Sequence, residues 1–193
     1  MNKYEQGLDK NAANFAALTP LNFIERAASV YPDQASIIHG ATHYTWSQTY
    51  ARACLLASAL GKLGIGEGDT VAFMGANTPE TFEAHFGVPM AGAVLNALNV
   101  RLDAKAIAFI LEHAEVRVLF TDRDYSDTIR AALELLDEKP RIIHISDPYF
   151  EGVELLGETD YDALLRTGDA GYRCFQVEDE WQAISLNYTA GTT

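Results

Sequence analysis

Apolar positions along the chain alternate between a helical period and short, nearly continuous runs. Leu21, Ile24, Ala27, Ala28 and Tyr31 recur at helical spacing, and Pro32 closes that helix. Residues 35–39 and 43–45 predict a strand pair around Gly40. Thr45 with Gln48 predicts a capping box, opening a helix that runs to Leu63 with Tyr50, Ala53, Ala57, Leu60 and Leu63 inward. Gly64, Gly66 and Gly68 interrupt the chain before a compact apolar strand over 70–75.

Asn77 and Glu80 predict the next helix cap, with Pro79 in the first turn and the helix reaching Ala91. A buried strand over 93–98 follows, and Asp103 caps a helix over 104–113. The pattern then predicts a strand over 116–121, a helix over 124–136 and a strand over 141–145. Residues 146–180 are looser, with a short helix near 161–165, and 183–188 predicts one more buried strand. This alternation predicts an α/β fold, a mostly parallel sheet flanked by helices.

Composition narrows the function classes. With 193 residues and 48% hydrophobic content, the chain is long enough for one domain or large subdomain with a real core. Residues 1–14 are polar and lack an apolar core of a secretory signal. The longest apolar run, 87–95, is too short to span a bilayer, so the expected location is cytoplasmic with no integral membrane segment. A net charge of −13, from 14 basic and 27 acidic residues, argues against nucleic acid as a partner. Small anions remain compatible, because a loop or helix end binds phosphate locally.

Cys54 and Cys174 stand far apart with no CxxC spacing, and read as a buried small residue and an incidental one. No disulfide is expected between them in a reducing cytosol. His39 and His43 flank a hairpin, where a four-residue spacing says little about a shared metal. His85 reads as packed or partly exposed rather than as a base. Asp122, Asp124 and Asp127 suit helix capping, and Glu178, Asp179 and Glu180 a solvated turn. Trp46 and Trp181 read as anchors at the starts of elements.

The chemistry concentrates at the end of the chain. Tyr188-Thr189-Ala190-Gly191-Thr192-Thr193 follows the last strand directly. Small residues let backbone approach an anion, amide N–H groups point at its oxygens, and hydroxyls add donors. The segment is not a Walker A loop and carries no Gly-x-Gly-x-x-Gly signature of a dinucleotide-binding dehydrogenase. Taken alone, it fits a surface turn as well as half of a phosphate loop.

Leu186 to Thr193 resembles the start of the adenylate-forming signature Tyr-Thr-Ser-Gly-Thr-Thr-Gly-x-Pro-Lys-Gly. Thr19-Pro20-Leu21 through Tyr31-Pro32-Asp33, then Tyr44-Thr45-Trp46-Ser47-Gln48-Thr49-Tyr50, resemble that superfamily's opening motifs. So do Gly64-Ile65-Gly66-Glu67-Gly68-Asp69-Thr70-Val71 and the run from Glu83 to Asn96, continuing to Arg101-Leu102. The chain is similar to the N-terminal part of AMP-forming acyl-CoA synthetases, nearest the acyl-activating enzymes for short, medium or thioether carboxylates.

The resemblance implies residues 1–20 as a tail and 21–193 as an N-terminal α/β subdomain ending inside the phosphate loop. It implies Mg-ATP, CoA and a small carboxylic acid as reactants, and the remainder of the same polypeptide as partner. Thr189, Ala190, Gly191, Thr192 and Thr193 would hold the β- and γ-phosphates, with Thr189 a neighbour of magnesium. Ala190 stands where the family commonly has Ser or Thr. Catalytic residues are expected downstream of Thr193, so these residues alone should not turn over. Two other outcomes stay open: a non-catalytic assembly module derived from the family, or an adenylation domain serving another acceptor. Homo-oligomerisation is left open as well.

Overall fold

A computed structural model of the chain describes residues 2–146 and 155–189. After a 3-10 turn at Lys3–Glu5, helix α1 spans Pro20–Val30, with Thr19 capping it through its hydroxyl. The antiparallel strands β1 (Ala35–His39) and β2 (Thr42–Thr45) form a separate two-stranded sheet, turned at Gly40 with φ +57°. Helix α2 covers Trp46–Lys62 and opens on the predicted capping box. The Thr45 hydroxyl accepts the Gln48 N–H, and the Gln48 amide oxygen accepts the Thr45 N–H.

The main sheet then builds from alternating strands and helices: β3 (Thr70–Met74), α3 (Pro79–Met90), β4 (Val94–Ala97), α4 (Ala104–His113), β5 (Val116–Asp122), α5 (Ser126–Leu133), β6 (Arg141–Ile145), β7 (Thr159–Asp160) and α6 (Tyr161–Arg166). Its five strands are parallel throughout, in the order β4-β3-β5-β6-β7.

Side-chain alternation along the strands sorts two cores. Val71, Phe73, Val118, Phe120, Ile143 and Ile145 face a layer of α1, α2, α3 and α6. Ala72, Met74 and Leu119 face the opposite layer of α4 and α5. Both faces are covered, which is why β3 reads as an uninterrupted apolar run and is buried at every residue. Phe120 is fully buried, with its ring 5.7 Å from both Phe73 and Tyr161.

Helix α2 is buried over much more than its predicted stripe. Ala53, Ala57 and Leu60 are fully buried as expected, while Tyr50 and Leu63 pack at the margin. Thr49, Leu56, Ser58 and Ala59 are also buried, because α1, α3 and α6 all pack on this helix. Gly87 of α3 makes a close approach to it. A Cβ there would stand 2.7 Å from Leu56 Cδ2 and 3.0 Å from the Ala53 carbonyl oxygen. Gly92 plays a different part, ending α3 at φ +83° with the Phe175 ring against it.

Three boundaries differ from the pattern reading. The N-cap of α3 is Thr78, not Asn77, and no side chain caps it; Pro79 at N1 supplies the helical φ, and the Thr81 hydroxyl donates to Ala76 O. Helix α5 ends at Leu133 rather than 136, since Leu135 and Leu136 donate to Ala132 and Leu133 in 3-10 fashion. Its start is delayed by a 3-10 turn at Arg123–Tyr125, where the Asp122 carboxylate accepts the Asp124 N–H. Trp46 anchors α2 as predicted, against Phe82. Trp181 does not anchor anything: it is 94% exposed.

Candidate functional site

The predicted last strand is a single bridge. Ser185 pairs with Leu95 in parallel sense on the outer edge of β4. Leu95 N–H donates to Ile184 O at 3.0 Å, and Leu186 N–H to Leu95 O at 2.9 Å. A continuing ladder would next use the main chain of Ala97. Instead the side-chain amide of buried Asn96 donates to Leu186 O at 2.7 Å and takes that carbonyl out of the ladder. Tyr188 then folds onto the α4 face. Its hydroxyl lies 2.7 Å from His113 Nδ1, and the His113 ring stacks on Phe109.

These contacts hold the approach to the candidate phosphate loop along four residues, 184, 186 and 188 by direct bonds and 185 by pairing. Thr189, the first of the predicted phosphate-binding residues, is exposed at the end of this segment. Ala190, Gly191, Thr192 and Thr193 lie outside the described residues. None of the residues 95, 96, 113 or 188 was singled out by sequence reasoning for this role. The one available signal was Asn96, a polar residue inside the apolar run over 93–98.

The strand order reverses around β3: the chain moves from β3 to β4 on one side, then crosses to β5 on the other. In open parallel sheets ligands sit beyond the carboxyl ends at such a switch. A groove of about 530 Å³ occupies that position, lined by Gly75 and Asn77 after β3, Leu98 and Asn99 after β4, Tyr125 after β5, and His85 of α3. His85 is exposed, its Nδ1 2.7 Å from the Thr81 carbonyl oxygen.

The most displaced carboxyl group lies elsewhere. Glu83 is fully buried between α2, α3 and α6, and burial pushes its carboxyl up to about 7 against the opposing pull of Arg52. Arg52 Nε donates to Glu83 Oε1 at 2.5 Å, and Tyr161 OH to Oε2 at 2.9 Å. Arg52 also reaches Asp162 at 3.0 Å and lies over the Tyr44 ring. Burial, together with the adjacent Glu83 charge, lifts the Tyr161 hydroxyl well above its ordinary value. Glu83 does not line the carboxyl-end groove, so it ties three helices together rather than serving as an acid or base there.

The remaining candidates resolve as structure. His39 pairs with Thr42 and His43 with Ile38, which puts the two histidines on opposite faces of the hairpin. Among the described residues no group of three His, Cys, Asp or Glu side chains is placed to hold a metal ion. Asp127 pairs with Arg130 on the surface of α5. Glu180 of the acidic run accepts the Leu18 N–H, and Asp179 the Trp181 N–H, so that turn also pins the N-terminal segment. Cys174 is not incidental: its sulfur lies 3.2 Å from that of Cys54, both as free thiols. No described helix is long and apolar enough to cross a membrane.

The family profile described as AMP-binding enzyme matches residues 24–193. The chain belongs to that family. It is 45% identical over 198 aligned residues to the acetate–CoA ligase CCL3 of Humulus lupulus, covering 96% of this chain and 35% of the relative. Identity is again 45% to the peroxisomal acetate/butyrate–CoA ligase AAE7 of Arabidopsis thaliana, with the same coverage of each. The fold matches the anthranilate CoA ligase AuaEII, solved with anthranoyl-AMP, at a TM-score of 0.81 and 22% identity, over 95% of this chain and 35% of that one. The AMP-binding chain thus spans about a third of the length of the relatives it matches, within an α/β architecture that they share.

Proposed function

We propose that the polypeptide carrying this chain is an AMP-forming carboxylate–CoA ligase. The observation that carries this reading is the 45% identity to acetate– and butyrate–CoA ligases along nearly the whole chain. In the first half-reaction a carboxylate attacks the α-phosphate of ATP and expels pyrophosphate; in the second, the CoA thiol displaces AMP. The obstacle in the first step is the approach of one anion to another, which amide donors, hydroxyls and cations offset.

Residues 189–193 would supply the amide and hydroxyl donors to the β- and γ-phosphates, with the segment 184–188 holding their approach on β4 and α4. The Thr189 hydroxyl would stand beside the magnesium that accompanies ATP, which would be held mainly by the phosphates and would offset their negative charge. Acetate, butyrate and benzoate, named in the relatives, define the first substrate panel. The cytoplasm is the proposed location, although several relatives are named peroxisomal; fractionation of the full-length protein distinguishes the two.

The test is exchange of labelled pyrophosphate into ATP by the full-length protein, acid by acid. Exchange that requires one of these carboxylates supports the reading, and carboxylate-independent behaviour across a broad panel overturns it. Within that enzyme, Ala190→Ser should change the ATP KM less than tenfold. A neutral hydroxyl bond contributes only about 0.5–1.5 kcal/mol, and the amide N–H at that position is unchanged. Steady-state kinetics with varied ATP reads this directly.

A further inference from the structure

We propose that Cys54 and Cys174 form an oxidation site, closing to an intramolecular disulfide when the protein meets a low-molecular-weight disulfide. Their sulfurs lie 3.2 Å apart although the residues are 120 positions apart in sequence. Neither serves the phosphate segment, and neither is needed to fill a helix cap or an ion pair.

The proximity is held by the backbone on both sides of Cys174. Phe175 N–H donates to Met90 O at 2.8 Å, and its ring packs on Gly92, where an added Cβ would stand 3.2 Å away. Upstream, Asp169 N–H donates to the Ser58 hydroxyl, and Tyr172 N–H to Asp169 O. Ser58 lies one turn along α2 from Cys54, so the 169–175 segment is fastened to the same helix that carries the partner thiol. The sulfurs have to close from 3.2 Å to the roughly 2.05 Å of a disulfide bond.

The two cysteines differ in access and in acidity. Cys54 is buried, whereas Cys174 is half-exposed. The Cys174 thiol hydrogen bond to Cys54 lowers the latter against its own burial, while the same contact raises Cys174. Access makes Cys174 the first to react, through the fraction that loses its proton to solvent, and the more acidic Cys54 is the thiolate that resolves. Cys174 attacks one sulfur of the small disulfide, breaking its S–S bond and releasing one small thiol. Cys54 thiolate then attacks the Cys174 sulfur of the mixed disulfide and expels the second small thiol. The protein loses two protons and two electrons, and one small disulfide becomes two thiols. Such a bond is reversible by reductants, as transient intracellular disulfides are.

The experiment uses the full-length protein incubated with oxidised glutathione, then alkylated with iodoacetamide and digested without reductant. The expected product is a single cross-linked peptide pair joining Cys54 to Cys174, with alkylation of both sites lost together and restored by dithiothreitol. Cys54→Ala should arrest at a glutathione adduct on Cys174, and Cys174→Ser should leave Cys54 unlinked. Persistent alkylation of both cysteines in the wild-type protein, or a stable glutathione adduct without the cross-link, overturns the proposal. The readout needs no ligase activity, so it stands apart from the functional reading.

Discussion

Replacing Glu83 by alanine should lower the free energy of unfolding by about 3 kcal/mol, the low end of the range for breaking a buried ion pair. The substitution leaves Arg52 Nε and the Tyr161 hydroxyl without their shared acceptor. Arg52 keeps Asp162 and a side chain 20% exposed, which holds the cost to that low end. Tyr161 has no such relief, since it is 2% exposed and faces the core. Urea unfolding of the wild-type and Glu83→Ala full-length proteins measures the difference. A change under about 1 kcal/mol, the scale of a surface pair, would contradict the role assigned to the network.

The same carboxyl sets a pH dependence of definite sign. Burial lifts Glu83 to about 7 from an ordinary 4.5, so between these values the folded protein keeps a proton that the unfolded chain has released. Its contribution is therefore complete below about 4.5 and is lost as pH rises through about 7. Glu83→Gln removes this titration, so wild-type stability relative to Glu83→Gln should decline across that window. A relative stability that rises with pH there would mean that Arg52 outweighs burial.

Gly87→Val should cost about 3 kcal/mol, at the upper end for overpacking a closed core. Leu56, which a Cβ at this position meets first, is itself fully buried and has nowhere to turn, and the Ala53 carbonyl behind it is backbone. Valine adds a β-branch to that collision. Gly61, a helical glycine of α2, is the control: nothing lies within 4 Å of its would-be Cβ. Gly61→Ala should stabilise by about 0.5–1 kcal/mol through helix propensity alone. Thermal unfolding of both variants separates close packing from propensity, and equal signs for the two would contradict the packing at Gly87.

Much of the fold was legible because local chemistry and tertiary role agree. Thr45 with Gln48 and Asp103 cap the helices their types predict, and Val118, Leu119 and Phe120 run on as consecutive apolar residues because both sides of the sheet are covered. The pattern failed where one side chain competes with main-chain geometry. Asn96 intercepts the Leu186 carbonyl, so the strand predicted over 183–188 yields only one bridge. Trp181 misled for the opposite reason, since an aromatic residue is normally buried and this one is not.

The candidate site was legible as a composition and not as a geometry. Thr189, Gly191, Thr192 and Thr193 have the residue types of a phosphate loop, and only the family resemblance sets them apart from a surface turn. The side chains that hold its approach, Asn96 and His113, come from β4 and α4 and meet residues about 75 to 90 positions later. Periodicity carries no information on such pairings. The same holds for Glu83, Arg52 and Tyr161, and for the two cysteines, whose sequence separations are all long-range.

The central claim, that these residues belong to an AMP-forming carboxylate–CoA ligase, is tested most directly by product analysis of the full-length protein. It would be mixed with Mg-ATP, CoA and one carboxylic acid at a time, and the products resolved by mass spectrometry. Acyl-CoA and AMP are expected in equal amounts for at least one small acid, and neither product from residues 1–193 alone. Adenylate formed without any CoA thioester, or ADP in place of AMP, would contradict it.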